Sequence, residues 1–230
     1  MAFDTATPST TVALLDSATP IAEMRLSAAS HSRSLLPAVS EILAHAGHTP
    51  RSLQAIAVGR GPGSFTGVRI GMTLAKTLAY ALDIPLAGVS TLRALAHNAA
   101  AGPNDLVCPA LDALKGEVYG AVFRMTSSGA QTVRHEAASE PRAFAESLKA
   151  AGATCILLGS GALRYRDVFA EVLGDALRLP DMPEDHEPRA TVIGRLGWER
   201  LSREESDDPA LLEPDYCRLS EAEIKRQKTS

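Results

Sequence analysis

Short apolar runs separated by turn residues occupy the first part of the chain, before any helical period appears. Three of these runs have the length and the β-branched, apolar composition of strands: residues 1–4, 10–15 and 21–26. Over residues 35–46 the apolar positions recur every three or four residues, which predicts a helix with one buried face. We expect Ser34 to cap this helix, so that Pro37 falls in its first turn, where a missing N–H costs nothing.

The order of predicted elements in the first part is repeated in the second. After the first helix, the pattern predicts strands at residues 55–59 and 86–89, a helix at residues 67–82, and a helix capped by Ser90 that runs to residue 101. The second part gives strands at residues 106–111, 117–125, 131–135, 155–158 and 176–179, and helices at residues 142–151, 163–173 and 191–201. The acidic, proline-containing stretch 180–188 indicates a surface loop.

A β-β-β-α-β-α-β-α unit used twice predicts an α/β protein with two lobes. Each lobe would contain a mixed sheet with helices on its faces, and the cleft between the lobes is where such folds place ligands. We assign residues 1–103 to an N-terminal lobe and residues 104–230 to a C-terminal lobe with a short polar tail.

Composition and charge narrow the function classes. Of the 230 residues, 45% are hydrophobic and 22% are charged, which is typical of a globular protein and not of a disordered one. The formal net charge of −4 leaves no positive field to hold phosphates, so autonomous nucleic-acid binding is disfavoured. The basic residues near the C-terminus, Lys225, Arg226 and Lys228, are interpreted as a solvated tail.

Neither the cysteines nor the histidines have the spacing of a metal site. The cysteines lie far apart, at positions 108, 155 and 217. We expect them to be small buried side chains with free thiols, as in a protein of a reducing compartment. His45 and His48 lie on either side of a glycine at a predicted helix end, where the helix dipole favours cations. We therefore predict that the protein binds no metal. We also predict a cytoplasmic location without a membrane segment, because no targeting or spanning segment is evident.

The stretch from residue 59 to residue 71, GRGPGSFTGVRIG, is the densest in candidate chemistry. Its glycines follow a predicted strand and precede a helix, so its amides and the side chains of Ser64 and Arg69 could meet an anion around Gly61 and Gly63. The spacing departs from that of a P-loop, a dinucleotide-binding loop and a nucleophile elbow. A structural turn and a binding loop therefore remain equally open.

Two acidic turns occupy equivalent places in the two lobes. Asp4 and Thr5 follow the first strand, and Asp112 and Glu117 flank the corresponding turn of the second lobe. Carboxylates and hydroxyls there could reach a nucleotide phosphate or its magnesium ion, or they could simply stabilise the turns.

A stripe of small residues runs along the helix that follows the glycine-rich stretch. Gly67, Gly71, Ala75 and Ala79 recur every four residues, so another element can approach its backbone closely. Because each glycine inside a helix costs about 1 kcal/mol relative to alanine, the stripe favours close helix packing, within this chain or with a partner.

Residues 59–71 closely resemble the signature of the bacterial TsaB (YeaZ) family. Further matches run along the chain: DTAT at residues 4–7, HS at 31–32 with LLP at 35–37, GVSTL at 88–92, GEVY at 116–119, and EPDY at 213–216 with Arg218. The resemblance implies a two-lobed actin-like fold of the ASKHA, ribonuclease H-like class. It also implies an accessory role in forming N6-threonylcarbamoyladenosine at position 37 of tRNA.

In that family the protein pairs with the related catalytic subunit TsaD and with the ATPase TsaE. The resemblance therefore implies no intrinsic cofactor, ATP used by the assembled complex, contact with tRNA only through the complex, and a homodimer when the partner is absent. Catalytic relatives carry a metal-binding His-x-x-x-His pair, and here those positions are Thr91 and Leu95. Imidazole ligands are thus missing, which favours a non-catalytic scaffold.

The family's partner interface corresponds here to the predicted helices 35–46 and 67–82. The residues expected to contact the partner are Leu36, Val39, Leu43, Gly67, Ile70, Gly71, Leu74 and Ala75. Two features depart from the family pattern: the first strand has a short apolar lead, and Leu114 stands where relatives usually have arginine. The alternative hypothesis is an independent ATP-dependent phosphotransferase or metallopeptidase that uses Asp4, Thr5 and Asp112 in the cleft between the lobes.

Overall fold

Two five-stranded sheets with the same strand order form the framework of this computed structural model, which describes residues 1–26, 31–127 and 129–217, with only the backbone for 31–34. From edge to edge, the first sheet contains Thr19–Leu26 (β3), Thr10–Asp16 (β2), Ala2–Asp4 (β1), Ile56–Gly59 (β4) and Leu86–Val89 (β5). The second contains Gly129–Ser139 (β8), Glu117–Thr126 (β7), Leu106–Leu114 (β6), Cys155–Leu158 (β9) and Leu177–Arg178 (β10).

The two sheets also share their pairing directions. In each sheet, the first three strands along the chain pair in antiparallel fashion. The fourth strand pairs in parallel with the first, and the fifth pairs in parallel with the fourth. The prediction of two mixed sheets built from a repeated unit is therefore confirmed. The strand predicted at residues 131–135 is longer in the structure, where β8 runs from Gly129 to Ser139.

Seven α-helices are present in the described part of the chain. They are His31–His45 (α1), Phe65–Leu82 (α2), Thr91–Ala96 (α3), Pro141–Lys149 (α4), Ser160–Arg164 (α5), Arg166–Leu173 (α6) and Ala190–Leu201 (α7). None is long and apolar enough to cross a membrane.

Three helix predictions are corrected by the structure. Helix α1 begins before Ser34, so Pro37 lies inside the helix and not in its first turn. Helix α3 stops at Ala96, and shortly after it the Asn98 amide donates to the carbonyls of Asp185 and Glu187, which tie the chain to a loop. The predicted helix 163–173 is two helices, because the backbone of Tyr165 leaves the helical region. The side chain of Ser34 and the basic C-terminal tail lie outside the described residues.

Each sheet is covered by helices on both faces. In each case, the helix on one face comes from the half of the sequence that forms the other sheet. Helices α1 and α2 pack on one face of the first sheet, and α7 packs on the other, where Gly194 and Gly197 lie against Ala2 and Ala57. On the second sheet, α4 to α6 cover one face around Phe144, whereas α3 covers the other with Leu92 and Leu95. The predicted boundary at residue 103 separates the strands, but it does not separate these layers.

The segment after α7 also returns to the first lobe. The Asp207 carboxylate accepts hydrogen bonds from the Gly88 amide and from both terminal nitrogens of Arg200 at 2.7 to 3.0 Å. Further along, Leu212 joins the core of the first lobe, and the Asp215 amide donates to the Arg60 carbonyl. Helix α7 and the segment up to Asp215, which lie in the predicted C-terminal lobe, therefore pack on the first sheet and its core.

Candidate partner interface and the glycine-rich loop

The glycine-rich loop, residues 59–71, wraps around the turn that follows β1. A Cβ atom at Gly59 would meet the Asp4 side chain, one at Gly63 would meet Ala6, and Cβ atoms at Gly67 and Gly71 would meet Thr5. The Ser64 amide donates to the Ala6 carbonyl at 2.7 Å. The four glycines are therefore required by close contact with the neighbouring turn of the same chain, which favours the structural interpretation of the loop.

The groups predicted to bind an anion in this loop are engaged within the chain. The Gly61 carbonyl accepts from the Thr91 amide at 2.8 Å, and Gly61 itself is buried. The Ser64 hydroxyl accepts from the Gly67 amide as the N-cap of α2, at 3.2 Å. The Arg69 side chain is exposed to solvent, although its Nε also donates to a side chain of the same protein, the Tyr216 hydroxyl.

Asp4 and Thr5 are fully buried, and both side chains are satisfied by the chain itself. The Asp4 carboxylate accepts from the Ala6 amide and from the Thr91 hydroxyl, each at 2.7 Å, and the Thr5 hydroxyl donates to the Gly67 carbonyl at 2.7 Å. Burial raises the pKa of Asp4, although the two hydrogen bonds oppose that shift. Neither side chain faces open space, so the structure favours the interpretation that Asp4 and Thr5 stabilise the turn.

Thr91 and Leu95, where the family resemblance led us to expect the histidine-pair positions, have structural roles. The Thr91 hydroxyl is the partner of Asp4, and Leu95 is fully buried in the core between α3 and the second sheet. Among the described residues, no group of three histidine, cysteine or acidic side chains could hold a metal ion.

The acidic turn of the second lobe is also stabilised internally. One Asp112 oxygen pairs with Arg164 at 3.2 Å, and the other accepts from the Leu114 amide at 3.1 Å. Glu117 pairs with Leu114 across the turn between β6 and β7. The Asp112 carboxylate therefore connects the turn to α5, and the backbone pairing of β6 and β7 places Glu117 opposite Leu114.

The predicted partner interface is buried for five of its eight residues. Val39, Leu43, Gly67, Gly71 and Ala75 face the core of the first lobe. The stripe of small residues therefore packs against this chain's own first turn and sheet, which favours the first of the two interpretations of the stripe, close packing within this chain. Leu36 is 53% exposed, however, and Ile70 and Leu74 are half-buried.

Four accessible apolar residues of the two helices define what we call the α1–α2 face: Leu36, Ile70, Leu74 and Leu78. The last three are spaced four residues apart on α2, and all three are half-buried at the margin of the core. Leu78 was missed from the sequence, although its position four residues after Leu74 could have revealed it.

An aromatic cluster lies at the first turn of α2. The guanidinium carbon of Arg69 lies 3.8 Å from the centre of the Phe65 ring, and Arg69 Nε donates to the Tyr216 hydroxyl at 2.7 Å. The two rings are stacked with their centres 5.3 Å apart. We call Phe65, Arg69 and Tyr216 the Arg69 cluster. Sequence reasoning placed Arg69 at an anion but could not foresee Tyr216, which comes from a segment 147 residues away.

The raised pKa of Asp4 gives a testable pH dependence. A carboxyl whose pKa is raised on folding stabilises the fold fully below its unfolded pKa, and that contribution is lost as the pH rises through the folded pKa. We expect Asp4→Asn to melt at the same or a higher temperature than the parent at pH 7, with a difference that shrinks as the pH approaches 4. Thermal unfolding followed by circular dichroism across this range measures it. A large loss of stability at pH 7 alone would show that the ionised carboxylate is required.

Comparison with known proteins agrees with this architecture. The TsaD family model, described as tRNA N6-adenosine threonylcarbamoyltransferase, matches residues 25–226. The TsaB protein of Bacillus subtilis, a tRNA threonylcarbamoyladenosine biosynthesis protein, is 36% identical over 226 residues, covering 98% of this chain and 96% of that protein. A tRNA N6-adenosine threonylcarbamoyltransferase of Nitratidesulfovibrio vulgaris is 42% identical over 98 residues, which are 42% of this chain and 27% of that enzyme.

A solved structure from Pseudomonas aeruginosa, an uncharacterized protein with similarity to peptidase YeaZ, has a similar fold. It superimposes with a TM-score of 0.81 at 31% identity, covering 94% of this chain and 98% of that one. Together with the paired mixed sheets, this likeness confirms the expected two-lobed actin-like fold. On its near full-length identity to the Bacillus subtilis protein, the chain belongs to the TsaB (YeaZ) family of tRNA threonylcarbamoyladenosine biosynthesis proteins.

Proposed function

We propose that this chain is a non-catalytic subunit that supports threonylcarbamoyladenosine formation by binding a TsaD-type catalytic subunit. The observation that carries the proposal is what Thr91 and Leu95 contact, at the positions where catalytic relatives have their histidine pair. Thr91 is bonded to the buried Asp4, and Leu95 is core, so the place where catalytic relatives bind a metal is filled by hydrogen bonding and packing. A scaffold needs neither ligand.

The α1–α2 face is the surface that we assign to the catalytic partner. It presents Leu36 with half-buried Ile70, Leu74 and Leu78 on two helices that pack side by side over the first sheet. Apolar side chains at the margin of a core gain free energy when a partner helix covers them. In the same proposal, the assembled complex recruits a TsaE-type ATPase, uses ATP, and contacts tRNA, whereas this chain alone binds no tRNA because its net charge is −4.

The same face would be exposed in the isolated protein, so we propose that it self-associates into a homodimer when the partner is absent. Analytical ultracentrifugation of the isolated chain and of an equimolar mixture with the TsaD-type subunit tests this. The homodimer should disappear in the mixture as the heterodimer forms.

An independent ATP-dependent phosphotransferase or metallopeptidase has less support. Such an enzyme would need Asp4, Thr5 and Asp112 to face phosphates or a metal, but all three side chains have partners inside the chain. These three side chains therefore do not fit a nucleotide-binding site in this chain.

Reconstitution tests the proposal directly. The chain, a TsaD-type subunit and a TsaE-type ATPase are combined with tRNA, ATP and the threonylcarbamoyl donor, and modified adenosine is measured by mass spectrometry of digested tRNA. We expect product with all three proteins, background without this chain, and background with this chain alone. Product formed by the isolated chain would overturn the proposal, as would full activity when the chain is omitted.

A further inference from the structure

The segment between β10 and α7, residues 180–190, is bonded to both lobes, and we call it the cleft strap. Its contact with the second lobe is made by His186, whose side chain is only 3% exposed. The ring accepts from the Gly159 amide through Nδ1 at 3.1 Å and donates to the Pro180 carbonyl through Nε2 at 2.9 Å. Both ring nitrogens are therefore used by a neutral imidazole.

The next residue of the cleft strap reaches the first lobe. The Glu187 carboxylate accepts from the Ser9 hydroxyl at 2.5 Å, and the Thr7 hydroxyl lies 3.3 Å from the same oxygen. Three residues later, the Ala190 amide donates to the Thr11 hydroxyl on β2 at 2.9 Å. Two adjacent side chains thus contact opposite lobes, so the cleft strap cannot leave one lobe without pulling on its contact with the other.

Both contacts lie at the ends of parallel strands. The turn that contains Thr7 and Ser9 follows the carboxyl end of β1, which is parallel to β4, and Gly159 follows the carboxyl end of β9, which is parallel to β6. Open α/β sheets bind their ligands just outside the carboxyl ends of such strands. In this chain a hydroxyl at one of these strand ends and an amide at the other are already bonded to the cleft strap.

We propose that the cleft strap is a built-in occupant of the cleft: it fastens the turn after β1 to the start of α5, in the place where comparable sheets bind a ligand. The Glu187 carboxylate supplies the acceptor that an anionic ligand would bring, and His186 supplies the acceptor for Gly159. Because the two residues are adjacent, the cleft strap opens and closes as one unit. This inference goes beyond the proposed function and does not depend on which protein binds the chain.

The test is amide hydrogen exchange of the full chain, followed residue by residue by NMR. Glu187→Ala removes the contact with the first lobe. We expect the Gly159 amide, which lies in the other lobe, to exchange about 5- to 10-fold faster, because its acceptor on His186 is released with the rest of the cleft strap. The matched control is Glu184→Ala, an exposed acid of the same segment, in which the exchange rate of Gly159 should stay within about 2-fold of the parent.

The reciprocal variant releases the cleft strap from the second lobe. His186→Phe keeps a buried ring but loses both nitrogens, and we expect the Ala190 amide to exchange about 5-fold faster or more. If this variant does not fold, the Glu187 variant alone decides. In the parent chain, addition of ATP with magnesium ions should leave the exchange of Gly159 unchanged, because the cleft strap already holds that amide.

Three results overturn the inference. In Glu187→Ala, faster exchange at Ala190 with an unchanged rate at Gly159 would mean that the two contacts open independently. Equal acceleration at Gly159 and at the Leu157 amide inside β9 would mean that the whole second lobe opens and not the cleft strap. Protection of Gly159 by ATP in the parent would mean that a ligand takes the place of the cleft strap.

Discussion

Replacing Gly71 by leucine is expected to unfold the first lobe rather than to block a partner. A Cβ atom at this position would meet the Thr5 hydroxyl, which donates to the Gly67 carbonyl one turn earlier on α2. A leucine must therefore displace the turn after β1 from the helix, and the neighbouring Asp4–Thr91 hydrogen bond would be strained with it. We expect a loss of about 3 kcal/mol or more in the free energy of unfolding, measured by urea denaturation.

Thr73→Leu is the matched control for this variant, since Thr73 lies two residues further along α2 with its side chain exposed. Its free energy of unfolding should change by no more than about 0.5 kcal/mol. If Gly71→Leu unfolds at the same urea concentration as the parent, α2 does not pack on the turn after β1 as closely as described.

Replacing Leu36 by glutamate is expected to abolish binding of the TsaD-type subunit while the chain stays folded. Leu36 is 53% exposed, so a carboxylate there is solvated in the free protein. In the proposed complex the same carboxylate would be buried against apolar side chains without a partner, which costs several kcal/mol, on the order of 100-fold or more in affinity. Calorimetric titration with the TsaD-type subunit measures the loss, and circular dichroism verifies the fold.

The second lobe offers an equivalent control. Leu163 is 46% exposed on α5, far along the chain from both interface helices, and Leu163→Glu should bind like the parent. Equal weakening by both variants would indicate a general effect of added negative charge. Unchanged binding by Leu36→Glu would remove the α1 part of the proposed interface.

The repeated order of elements was readable from the sequence because each sheet carries its own signals. In both lobes, three strands separated by turns are followed by strands that alternate with helices. The strand order was not readable in the same way, because β4 pairs with β1 and β9 pairs with β6 across the segments between them. The lengths of α3 and of the α5–α6 pair were not readable, because tertiary contacts decide them. The tether from Asn98 to a distant loop is one such contact, invisible to local periodicity.

The glycine-rich loop shows where pattern reasoning about a site reaches its limit. Its four glycines indicate that another segment packs closely against the backbone, but their spacing does not identify that segment. The structure supplies the answer at Thr5 and Ala6, which a sequence places more than 50 residues away. The same limit applies to α7: its apolar positions predict a helix with a buried face, and nothing local assigns that face to the first sheet.

The position of α7 has a consequence for the order in which the protein is made. The first sheet is built from residues 2–89, yet one of its faces, including Ala2 and Ala57, is covered by a helix that is made much later and ends at Leu201. During translation that face stays open until α7 has emerged. The amino-terminal half therefore begins to fold first and is finished last, so chaperones have their longest opportunity to bind there.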